Sequence, residues 1–232
     1  MAGNILSVDS SSDIIYLHSG FSSTISNSFS SPSSVPSDVG WDGTNVLSLD
    51  SNTDQIYKHS GFSSTISDSF SSPSNVPSGV AWDGSNVLSS DDVSALIYLH
   101  SGFSSTISNS FSSPSTGPNG LGWDGTNVLS SDVDSDIIYL HSGFSSTISN
   151  SFSSPSNAPH SAGWDGNNIV SGDFTNDIIY LHSGFSSTIS NSFSSPSSGY
   201  TGVADDSWSG VGGGEPAVTT GFMTTNTKFF GG

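Results

Sequence analysis

The sequence predicts an all-β fold in which one four-stranded unit repeats around a ring, and three observations carry that expectation. The segment HSGFSSTIS begins at His18, His59, His100, His141 and His182, always 41 residues apart. Trp-Asp-Gly recurs in constant phase from Trp41, Trp82, Trp123 and Trp164. No window shows a helical hydrophobic period, and the strong helix formers Ala, Glu and Lys are scarce. Strict near-identity at this period marks tandem copies of one supersecondary unit, and the length is that of a four-stranded propeller blade.

Within the unit 78–118 four short strands follow from the turn chemistry. Strand A is 79–82, and Asp83-Gly84 is the hairpin that leads into strand B, 86–90, whose apolar content is Val87 and Leu88. A loop at 91–95 precedes strand C, 96–100, in which Ile97 and Leu99 face one way and Tyr98 and His100 the other. Ser101-Gly102 turns the chain into strand D, 106–111, with Ile107 and Phe111 expected on a shared apolar face. The Ser-Pro stretch that follows suits a crossing from the outer edge of one blade to the inner strand of the next.

The two ends of the array argue for a closed ring. The chain begins on a strand B at 4–9 with no strand A of its own, and the array finishes on a spare strand A at 201–206. A C-terminal strand completing the N-terminal blade makes five blades over residues 1–209, whereas a solenoid would carry capping repeats. In this closing strand Asp205 stands where the other four copies have Trp. Residues 210–232 lie outside the repeat as a Gly-rich joint and a tail.

The pattern Gly79, Ala81, Trp82, Asp83, Gly84, Asn86, Ser89 and Asp91, followed by Ile97 and Tyr98, resembles propeller repeats of the NHL and streptogramin-lyase type. It also resembles the nearly identical tandem blades of uncharacterised phage and environmental proteins. The WDG tripeptide in each blade is similar to that of five-bladed lectins of the tachylectin-2 type. These resemblances imply blade geometry; they do not imply a chemistry.

Composition excludes several functions. Twenty acidic residues face two lysines and no arginine, a formal charge of −18. Nucleic acid and anionic lipid need clustered cations, so neither is an expected partner. With no cysteine there is no thiol nucleophile, disulfide or zinc thiolate site. No apolar run approaches the length of a spanning helix and the N-terminus lacks the pattern of a secretion signal, so the expectation is a soluble, monomeric chain, with virion and extracellular settings both open.

The five histidines sit on strand C, which a propeller places roughly 19 Å from its equivalents, too far apart to share a zinc ion. They are expected to be structural, and neither cofactor nor transition metal is expected. The alternating carboxylates Asp132, Asp134 and Asp136 are the one weak calcium candidate, although Ile137 takes the place of the glycine an EF-hand turn requires. No GxSxG elbow or phosphate loop is present, so no catalytic residue is expected.

Copies differ most in the B–C loops and the D–A connections, which blade topology places on one face. The expected function is a non-enzymatic binding or structural propeller, a multivalent glycan-recognition or virion-associated module. Trp41, Trp82, Trp123 and Trp164 are the expected stacking groups, and Asp50, Asp91, Asp132 and Asp173 the expected hydroxyl acceptors. A lyase or hydrolase with one site at the propeller axis is the alternative.

Overall fold

The computed structural model describes residues 3–207. They form five antiparallel sheets of four strands each, and no helix. Blade 3 shows the pattern: strand A is Pro77–Trp82, B is Val87–Asp91, C is Leu96–His100 and D is Ile107–Ser112. Each boundary lies within about two residues of the sequence expectation. Strands A line the axis and strands D form the rim, so burial falls outward: strand B is wholly buried, while strand D is exposed except near its phenylalanine.

Blade 1 consists of Tyr200–Asp205, Ile5–Asp9, Ile14–His18 and Ile25–Ser30, so the C-terminal strand supplies the missing strand A. The register runs from Ile5 opposite Asp205 to Asp9 opposite Tyr200. Hairpin chemistry fixes the same alignment. In blade 2 the Asp42 carboxylate accepts the Asn45 backbone N–H at 2.7 Å and its side-chain amide at 3.1 Å. In blade 1 this pair is divided between the two chain ends, with Asp206 accepting the same two groups of Asn4 at 2.7 and 2.8 Å. Asp206 therefore occupies the hairpin Asp position and Asp205 the Trp position.

Each gap between blades is filled by one apolar cluster. Leu47, Leu49 and Ile56 of blade 2 pack with Val80 and Val87 of blade 3, covered by Phe70, Trp82 and Phe103. The strand D phenylalanine meets the next blade's hairpin phenylalanine edge-on at 4.8–5.0 Å in all five interfaces, including Phe193 with Phe21 across the closure. Such pairs add about 0.5–1.5 kcal/mol beyond area burial.

One strand D expectation is corrected. Leu99 pairs with Asn109 but His100 pairs with Ile107, so Ser108 is an extra residue in a β-bulge. The inserted residue reverses the alternation. Phe111 points inward, whereas Ile107 is 38% exposed.

Candidate functional site

The five histidines are structural, and their geometry explains why they invite another reading. His59 Nε2 lies 2.9 Å from Ser48 Oγ, and Nδ1 lies 2.8 Å from the Ser63 carbonyl. A carbonyl only accepts, so Nδ1 carries the hydrogen and Nε2 accepts from the serine hydroxyl. The pair has the spacing of a nucleophile and its base. Yet His59 is fully buried and Ser48 is 1% exposed, so no substrate reaches the oxygen. Burial lowers His18, His59, His100 and His141 to about 4 and lowers His182 as well, which keeps them neutral.

Within each blade the Trp and Asp residues expected to contact a glycan lie at opposite ends of the A–B pair. Strands A and B pair so that Trp41 lies opposite Val46 and Asp50 opposite Pro36. Four residue steps along strand B, from Val46 to Asp50, separate Asp50 from the Trp41 pairing level, roughly 14 Å at strand rise. The same register holds for Trp82 with Asp91, Trp123 with Asp132 and Trp164 with Asp173. The aspartates are buried turn formers: Asp50 Oδ1 accepts the N–H groups of Asn52 and Thr53 and the Thr53 hydroxyl. The calcium candidate fares likewise, since Asp132 Oδ1 accepts Asp134 N, Ser135 N and Ser135 Oγ, while Asp134 accepts the Thr116 hydroxyl. No group of three metal-ligating side chains converges among the described residues.

The variable loops do share a face, here the upper face. Each B–C turn is tied to the neighbouring D–A connection by a backbone bond, such as Ser51 N to Val35 O at 3.2 Å and Phe174 N to Ala158 O at 3.1 Å. These loops surround an axial mouth with a 180 Å³ pocket. There the second residue of each strand A differs: Ser37, Ser78, Asn119, His160 and Thr201.

Three of the five close on the protein itself. Ser37 Oγ donates to Pro77 O at 3.2 Å, Ser78 Oγ to Pro118 O at 2.6 Å, and Thr201 Oγ1 to Pro36 O at 2.9 Å. Each is a step to the next blade. The side chains of Asn119 and His160 make no hydrogen bond to protein among the described residues, and both line the pocket. The His160 ring stacks on Phe174 at 4.7 Å and 18°, and burial lowers its pKa to about 4. Asp92 also lines the mouth, its carboxyl raised by burial and by Asp134, Asp91 and Asp132. Val35, Val76, Val93 and Phe174 are exposed apolar residues of this face.

Below the mouth the strands A approach one another closely. Strands A carry Asp38, Gly79, Gly120, Ser161 and Gly202 at one level, and the glycines let the backbones close in: a Cβ on Gly202 would strike Asp38, and one on Gly120 the Ser161 backbone. The buried Asp38 carboxylate accepts Val39 N at 2.9 Å and Val80 N at 2.8 Å, and desolvation raises its pKa well above the usual range. At the lower end Trp41, Trp82, Trp123, Trp164 and Asp205 line a second, 40 Å³ pocket with the small residues before them.

His160, Asn119 and Phe174 were not among the expected site residues. The signal for His160 and Asn119 was present in the repeat, as the strand A position at which five otherwise similar copies read Ser, Ser, Asn, His and Thr, and that for Phe174 lay in the variable B–C turns, where the other copies have Ser10, Ser51, Asp92 and Val133.

The fold places the chain among the five-bladed β-propellers. No protein-family model and no curated protein matches the sequence. Solved structures share the architecture at low identity. A glutaminyl cyclase of Myxococcus xanthus superposes with a TM-score of 0.57 and 13% identity, covering 73% of this chain and 70% of that one. The WD40 β-propeller domain of Doa1 gives 0.54 and 13%, over 75% and 58% of the respective chains. A chain of a nidogen/laminin complex gives 0.56 and 15%, over 88% and 85%. The fold is compatible with a binding or structural role, and the cyclase shows that it also hosts enzymes. No helix among the described residues is long and apolar enough to cross a membrane.

Proposed function

We propose that the protein is a non-enzymatic binding propeller whose single recognition site is the upper axial mouth, and that its ligand is a neutral, hydroxyl-rich group such as a terminal sugar of a glycan. The observation that carries this reading is the broken symmetry at the axis: His160 and Asn119 leave the ring of blade-to-blade hydrogen bonds and present free donors and acceptors to the pocket. A neutral imidazole and an amide each offer both functions, which suits hydroxyls. Phe174 supplies an apolar face of the kind that packs on a sugar ring.

Charge supports a neutral ligand over an anion. The upper mouth has an acidic neighbour in Asp92 and no lysine in its lining. Its volume is well below the roughly 300 Å³ of pockets for drug-sized molecules, a fit to one ring instead of an extended chain. An axial lyase or hydrolase is less well supported, since the Ser–His pairs are sealed inside the blades.

A glycan array on the purified chain, with and without calcium, tests this. Binding lost in both His160→Ala and Asn119→Ala supports the mouth. Retention of binding in both variants, or turnover of the bound saccharide, would contradict it.

A further inference from the structure

We propose that the lower axial mouth is a second, separate binding site, which takes a small alkylammonium cation. Four copies of the repeat bring Trp41, Trp82, Trp123 and Trp164 to this end of the axis, and the fifth position is the carboxylate Asp205. Aromatic side chains and one negative charge around a small pocket are the ingredients of quaternary ammonium recognition. The 40 Å³ pocket exceeds the 10–15 Å³ or so that one water needs, so it has room for a small group.

Three further observations point to a cation. Asp205 is 3% exposed, and its Oδ2 has no hydrogen-bond partner among the described residues while Oδ1 holds Ser207. A buried carboxylate oxygen without a partner is costly, and an incoming positive charge would offset that cost. Next, a cation already meets one of these tryptophans from the gap between blades: Lys58 Nζ sits 5.8 Å from the ring centroids of both Trp82 and Phe103 and 2.6 Å from Asp42 Oδ2. Lys58 replaces the leucine of the other four blades, as Leu17, Leu99, Leu140 and Leu181 show. Finally, the formal charge of −18 concentrates cations around the whole molecule. The site shares no residue with the upper mouth and stands or falls apart from it.

Tryptophan emission of the full chain, titrated with choline and separately with its neutral isostere 3,3-dimethylbutan-1-ol, gives the test. The expected result is saturable quenching by choline, about tenfold tighter than any effect of the alcohol. Asp205→Asn should weaken choline binding severalfold and leave the alcohol unaffected. Equal affinities for the two ligands, or no saturable change with choline, would overturn the proposal. The comparison on the unsubstituted chain holds whether or not Asp205→Asn folds.

Discussion

At the scale of the residue, the repeat exposes strain by comparison between copies. The last residue of each B–C turn adopts a left-handed backbone, with φ of 50–57° at Asp13, Asp54, Ala95, Asp136 and Asp177. Aspartate tolerates this conformation better than alanine, and glycine adopts it freely. Ala95→Gly should therefore raise stability by roughly 0.5–1 kcal/mol, read as an increase in denaturation midpoint at constant slope. The histidines carry a pH consequence. A group with a depressed folded pKa stabilises fully above its unfolded value of about 6.5, and that contribution is lost as pH falls toward about 4. Asp38, Asp92, Asp173 and Asp205, raised by burial, act with the opposite sign, but six lowered histidines outnumber them. The melting temperature should fall between pH 7 and pH 5, and a flat profile would show that the imidazoles are not held neutral.

At the scale of the element, the closing strand carries its own complement. Tyr200 replaces the proline of the other strands A, is fully buried, and hydrogen-bonds Ser161 Oγ at 2.5 Å. Its ring lies where a side chain on Gly172 would be, and the other copies have Val8, Leu49, Ser90 and Ser131 at that position. Gly172→Ala should cost about 1–3 kcal/mol by overpacking. Combining Gly172→Ser with Tyr200→Pro restores the repeat and should cost less than the two single changes summed, as a double-mutant cycle would measure. This partnership was not legible beforehand, because it joins residues from different blades. The Ser108 bulge was hidden for a related reason: hydrophobic alternation reports faces only while register is kept. The hairpins, by contrast, were readable, since Asp-Gly turns are local chemistry.

At the scale of the molecule, closure was legible from a missing strand and a spare one, and truncation tests it. A chain ending at Ser198 leaves the inner edge of the Ile5–Asp9 strand unpaired, and size-exclusion chromatography should show aggregation or pairing between chains. The candidate site was less legible. The facing of Trp41 and Asp50 could have been drawn from antiparallel pairing, which sets them at different levels, but which strand A side chains bond to the next blade's proline carbonyl, and which leave His160 and Asn119 without such a bond, depends on contacts between blades that one repeat does not show. On the function proposed above, a nearly symmetric ring binds at one asymmetric mouth. Calorimetric titration with the monosaccharide that terminates the strongest array ligand tests this directly: one site per chain is expected, weakened at least about tenfold by His160→Ala, whereas four or five equivalent sites, or an unchanged affinity in that variant, would contradict it.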